Sequence, residues 1–116
     1  MTDSSCIQMS DVYDTNEVLK KLDSSGDWFY GFLFKDSMTA GILRLMSGEK
    51  DPQSPHANDE LYYVIKGSGF IYIENNDFPI KPGSIIFVPA NKNHHFHGNK
   101  DELQILYVFA GEDKDT

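Results

Sequence analysis

From Trp28 onward the chain is cut into short pieces. Gly48, Pro52 and Pro55, Gly67-Ser68-Gly69, Asn75-Asn76, Lys81-Pro82-Gly83 and Pro89-Ala90-Asn91-Lys92 interrupt it at close intervals. Between them lie runs rich in aromatic and β-branched residues: Trp28 to Phe34, Met38 to Met46, Leu61 to Ile65, Phe70 to Glu74, Asp77 to Ile80, Ser84 to Val88, His94 to His97 and Glu102 to Ala110. Prolines deny a backbone donor and glycines end runs, so no helix can extend through such a pattern. About eight short strands separated by turns predict an all-β sandwich or barrel. Gly31 marks a bulge in the first run, Asn75-Asn76 a two-residue hairpin turn, and Lys81-Pro82-Gly83 a type II turn. Ser84 to Val88, apolar on both faces, is expected to be buried on both.

Before Trp28 the period changes. Asp14 can cap a helix with Glu17 three residues on, Val18, Leu19 and Leu22 fall on one helical face, and Ser24-Ser25-Gly26 stops the run. Residues 1–10 are polar and aperiodic and read as a flexible tail, 11–111 as a single domain, and 112–116 as a polar tail. A domain of this size buries roughly two-thirds of the surface its unfolded chain exposes, so it needs no disulfide. With Cys6 the single cysteine none can form internally, and the cytoplasm is the expected compartment. Residues 1–6 show no signal-peptide pattern, and no apolar run is long enough to cross a bilayer. A formal charge of −8 argues against nucleic acid and membrane surfaces as partners.

The chemistry concentrates between Asp51 and Gly69. His56 and Glu60 stand four residues apart, at the mouth of the strand Leu61 to Ile65. Pointing into a barrel, such a pair must share a proton or a cation, because a buried charge without a partner is heavily penalised. The other three histidines lie in His94-His95-Phe96-His97. Strand alternation places His94 with the core residue Phe96, and His95 and His97 on the outside. Tyr62 shares the parity of Glu60 and is expected to face the interior.

The spacing resembles that of the cupin superfamily, and specifically its small, single-domain, metal-binding members. The first cupin motif ends in Glu, six residues and Gly, matched by Glu60 and Gly67. The second runs from Pro-Gly through a Pro five residues on to a His, matched by Pro82-Gly83, Pro89 and His94. The motifs lie in residues 52–98, and the resemblance extends over about residues 38–110. It implies a double-stranded β-helix (jelly-roll) barrel, here preceded by the short helix. It also implies a metal site of His56, Glu60 and His94. The chain departs from the pattern at Ser54, where another histidine is usual, at Asn91, where glycine is usual, and at Gly98, where asparagine often stands.

Two imidazoles and one carboxylate suit one divalent transition metal, Fe, Mn, Ni or Zn, with positions left open. The fourth position falls to Gln53 if Ser54-Pro55 bulges, less readily to Asn58, and most simply to water. Tyr62, Phe96 and Asn58 are the expected pocket residues for a small-molecule ligand. The leading expectation is a metal-dependent enzyme of dioxygenase, isomerase or lyase type. The alternatives are a non-catalytic module that binds or senses a metal or metabolite, and a structural domain with a closed pocket. The aromatic run from Trp28 to Phe34 and the resemblance together imply a homodimer.

Overall fold

A computed structural model describes residues 12–111. The expected tails at 1–10 and 112–116, with Cys6, lie outside the described residues.

Helix α1 (Thr15–Ser25) starts where Asp14, with extended φ and ψ, accepts the Glu17 N–H at 3.1 Å. It ends at Gly26, whose φ of 75° places it in the left-handed region and whose N–H donates to the Leu22 carbonyl. Eight strands follow: β1 (Phe29–Phe34), β2 (Met38–Leu45), β3 (Glu60–Lys66), β4 (Gly69–Ile73), β5 (Asn76–Ile80), β6 (Ile85–Val88), β7 (His94–His97) and β8 (Leu103–Ala110). They form two antiparallel sheets, one ordered β1-β2-β8-β3-β6 and the other β5-β4-β7. The core lies between the sheets, where Leu43, Tyr62, Val64, Ile71, Phe96 and Ile105 are buried. At about 25 cal/mol per Å² of apolar surface, each such aliphatic side chain stabilises the fold by about 2 kcal/mol.

A second apolar layer lies outside the large sheet. Ala40 and Ile42 alternate with the core residues of β2 and therefore face away from the interior, yet both are buried, as are Val18 and Leu22 of α1. Arg44, on the same face of β2 as Ile42, ion-pairs with Asp23 near the end of the helix. Among the described residues, the helix thus covers the outer face at β1 and β2 and leaves the other edge bare.

That bare edge corrects one expectation. Strand β6 is not buried on both faces: Ile86 and Val88 are, but Ile85 is 70% and Phe87 57% exposed. It is an edge strand with one face on the core, and its partners Leu61 and Tyr63 on β3 are also exposed. The hairpin turn between β4 and β5 differs as well. Asn76 pairs with Ile73, so the turn is Glu74-Asn75, with φ of 40° and 73°. Positive φ at both central residues is the type I′ geometry that matches strand twist. The bulge at Gly31 is present: Gly31 pairs with Gly41 and Leu33 with Ala40, leaving Phe32 as the extra residue, tilted against the Tyr13 ring at 4.7 Å.

Candidate metal centre

The first motif places two of the candidate ligands. His56 ends the turn-rich segment and Glu60 opens β3, where it pairs with Val88 and Phe109. His94 opens β7 in the opposite sheet. The two motifs are tied by backbone: the Asn91 N–H donates to the His56 carbonyl at 2.6 Å. Asn91 has a φ of 66°. The position requires a left-handed residue, which explains the usual glycine, and asparagine tolerates it better than other side chains do.

His56, Glu60 and His94 are all buried, and one ligand atom from each lies within 4.8 Å of the others, the grouping that a metal ion would need. Glu60 Oε1 is 3.3 Å from His94 Nε2 and 4.0 Å from His56 Nε2. The His56 ring packs 4.6 Å from Phe109. Among the described residues, the buried side-chain polar atoms without a hydrogen-bond partner are both nitrogens of His56 and both oxygens of Glu60. Leaving such groups unpaired costs about 1–3 kcal/mol each.

His94 Nδ1–H donates to the Lys92 carbonyl at 2.9 Å, which leaves the Nε2 lone pair aimed at Glu60. Tyr62 has one proton and gives it to Gln53 Oε1 at 2.7 Å, yet its oxygen is also 3.0 Å from His94 Nε2. Lone pairs from His94, Tyr62 and Glu60 therefore converge with no proton assigned between them. A cation, either a metal or a second proton on His94, resolves the conflict. Burial alone would lower the His94 pKa, but the Glu60 carboxylate, the Lys92 carbonyl and Asp51 outweigh it and raise it above the ordinary value. Burial first, then Glu60, pushes the Tyr62 phenol well above its usual range, so it keeps its proton.

The other expected site residues divide. Tyr62 is fully buried and belongs to the cluster, as expected. Gln53 is beside it, but its oxygen accepts from Tyr62 and its amide donates to Asp51 at 2.7 Å, so it braces the cluster from behind. Phe96 is a core residue stacked edge-on against Tyr62 at 4.9 Å. Asn58 is half-buried in the bend before β3, and Ser54 is exposed.

Asp51 is the residue that the sequence reading missed. It is buried, and its carboxylate accepts from the Gln53 N–H and amide and, at 2.8 Å, from the Phe96 N–H on the free edge of β7. The signal was available in Asp-Pro-Gln, since aspartate commonly accepts the N–H two residues on. Asn99 was missed too. It stands one residue beyond Gly98, and its buried amide donates to the carbonyls of Leu45 and Asp101.

A cavity of about 30 Å³ adjoins the cluster. Its apolar wall is Trp28, Phe29, Leu43, Tyr107 and Phe109, and its polar side is Gln53, His56 and Glu60.

Fold and motif spacing together define a double-stranded β-helix protein with a buried His-Glu-His grouping. Residues 41–112 match the family model described as "Cupin domain", and the chain belongs to the cupin family. It is 37% identical over 79 residues to an uncharacterized protein of Streptomyces coelicolor, covering 68% of this chain and 75% of that one. Among solved structures it is similar to KdgF from a Halomonas species, with a TM-score of 0.68, 16% identity, and coverage of 75% of this chain and 80% of that one. It is also similar to the DMSP lyase DddQ from Ruegeria pomeroyi, with a TM-score of 0.68 and 22% identity, covering 80% of this chain but only 51% of that one. At these identities the structural likenesses concern the fold. Among the described residues, no helix is long and apolar enough to cross a membrane.

Proposed function

We propose that this cupin holds one divalent transition metal, Fe, Mn, Ni or Zn, on His56, Glu60 and His94, and acts as a metal-dependent enzyme on a small molecule. The observation that carries the reading is the set of four buried, partnerless atoms on His56 and Glu60, next to a His94 whose tautomer is fixed with Nε2 as the free donor. A bound metal would supply Lewis-acid or redox chemistry at positions the protein leaves open. The chain's own residues supply the setting. Tyr62 retains a proton beside the centre, Gln53 and Asp51 hold Tyr62 in place, and Phe109 packs the His56 ring. Oxygenase, isomerase and lyase reactions all suit such a centre, and fold likeness does not choose among them.

The second reading is a non-catalytic module that binds or senses a metal or metabolite. The small volume of the cavity beside His56 and Glu60 favours it, because about 30 Å³ there leaves little room for a substrate and a co-reactant together, although Asp51, Gln53 and His94 also line a separate groove of about 680 Å³.

The test of the metal centre is elemental analysis of protein purified without an affinity tag, beside His94→Ala. One metal per chain in the parent and none in the variant supports it. Equal, trace metal in both overturns it. Turnover against small-molecule pools then separates enzyme from binder.

We further propose a cytoplasmic homodimer that engages neither nucleic acid nor membrane. Net charge and the single cysteine support the compartment and the exclusions. The exposed apolar square of Leu61, Tyr63, Ile85 and Phe87 at the bare edge of the large sheet supports pairing with a second copy, more than the aromatic run that suggested it. Within that run Trp28 is packed on the core and Phe32 on Tyr13, leaving Phe29 and Phe34 exposed.

A further inference from the structure

We infer that Trp28 and Phe29 form the size and polarity filter of the centre, selecting a ligand with one small polar end and an apolar body that carries no negative charge. The inference rests on the metal-centre reading and extends it to the class of molecule admitted. The cavity beside His56 and Glu60 has a volume of about 30 Å³. A single water needs roughly 10–15 Å³ of such space, so only about two water-sized groups fit as the side chains stand. Ordinary small-molecule pockets are about 300–1,000 Å³. Anything larger enters by displacing part of the wall.

The wall identifies which part. Leu43 and Phe109 are buried strand residues of the large sheet, fixed by pairing on both sides. Trp28 immediately precedes β1 and Phe29 opens it, β1 is an edge strand, and Phe29 is 36% exposed while lining the cavity. Here the cavity meets solvent. The two rings lean edge-on at 4.9 Å. The Trp28 backbone is held by the Arg44 N–H, which donates to its carbonyl at 2.7 Å, so the side chains are the part that can turn.

Polarity follows from the same wall. Among the described residues the lining contains no lysine or arginine; its polar groups are Gln53, already bonded to Tyr62 and Asp51, the Trp28 indole N–H, the Tyr107 phenol, whose oxygen lies against Gly41, and the ligands themselves. A negative charge on the ligand body would be buried against aromatic carbon without a cationic partner, at a large penalty.

The test uses the full chain loaded with Co²⁺, whose visible absorption reports what binds to the metal, and three probes sharing one donor. Imidazole is small, benzimidazole carries a larger apolar body, and imidazole-4-acetate carries a charged one. In the parent protein, imidazole is expected to shift the spectrum at lower concentration than either of the others. In Trp28→Ala and Phe29→Ala, benzimidazole is expected to gain about tenfold relative to imidazole, the scale of relieving a tight apolar pocket. Imidazole-4-acetate gains little, and Co²⁺ affinity stays unchanged. Phe29 is partly exposed, so its variant keeps the test alive if Trp28→Ala does not fold. An unchanged benzimidazole-to-imidazole ratio in a folded variant overturns the filter, as does tighter binding of imidazole-4-acetate than imidazole by the parent. Absence of any Co²⁺ spectrum in the parent overturns the metal centre and the filter with it.

Discussion

The phenol oxygen of Tyr62 lies 3.0 Å from Nε2 of His94 while its proton is committed to Gln53. Tyr62 therefore braces the centre without occupying the donor that a metal requires. Tyr62→Phe is expected to lower stability by about 1–2 kcal/mol, through loss of a buried hydrogen bond, and to leave metal binding in place. Denaturant unfolding and metal content measured on one preparation check it. Loss of metal in Tyr62→Phe would make the hydroxyl a ligand.

Glu60→Gln should act with opposite signs on the two forms. In chelated protein, at a pH above the window in which His94 is protonated, it replaces a buried, unpartnered carboxylate with a neutral amide that can donate to His94, and a gain of about 1–3 kcal/mol is expected. In metal-supplemented protein it removes a ligand and the stabilisation that the ion confers. Thermal melts with and without chelator should therefore cross over between parent and variant.

The pH dependence follows from His94. Its folded-state pKa is raised, so the stability contributed by its imidazolium is complete below the unfolded value, about 6.5, and is lost as pH rises through the folded value. Metal-free protein should become less stable across that window. A metal must displace that proton from Nε2, so its affinity should rise with pH over the same window. Melting curves of the chelated form and isothermal titration at several pH values check both signs.

Gly67 and Gly26 separate two costs of a positive φ. Both are left-handed, at 92° and 75°, but a Cβ on Gly67 would run into the Glu102 backbone carbonyl, whereas one on Gly26 meets nothing. Gly26→Ala is expected to cost about 1 kcal/mol and Gly67→Ala clearly more, about 2–4 kcal/mol. Urea midpoints of the two variants test the order. The result bears on why the first motif ends in glycine.

Phe87→Asp should convert the proposed dimer to a monomer, because a charge then lies in the middle of the apolar square beside Leu61 and Ile85. Sedimentation velocity of parent and variant decides it. A monomeric parent would remove the dimer from the account.

Much of the barrel was legible because turn residues and strand runs alternate so closely, and because parity alone sends His94, Phe96 and Tyr62 inward. Parity failed where it needed knowledge of the neighbours. Ile85 and Phe87 are apolar, but only the strand order reveals that β6 has a single covered face. The shift of the hairpin from Asn75-Asn76 to Glu74-Asn75 has a similar origin, since Ile73 pairs with Asn76 and glutamate is drawn into a conformation it rarely adopts. Sequence spacing offers Gln53 as one candidate for the fourth ligand, beside water, and says nothing of its partners. Its role as a brace depends on Asp51 and Tyr62 meeting in space.

Asp51 also sets how the protein can breathe. It is 45 residues from Phe96, and with one carboxylate it holds the Gln53 backbone, the Gln53 amide and an otherwise open strand edge. The segment leading to His56 therefore cannot peel away bond by bond: three N–H donors lose their shared carboxylate in one event. Amide exchange at Gln53 and Phe96 should be slow and share one rate. A strand edge that would otherwise be open to another chain stays closed for as long as the ligand loop stays shut.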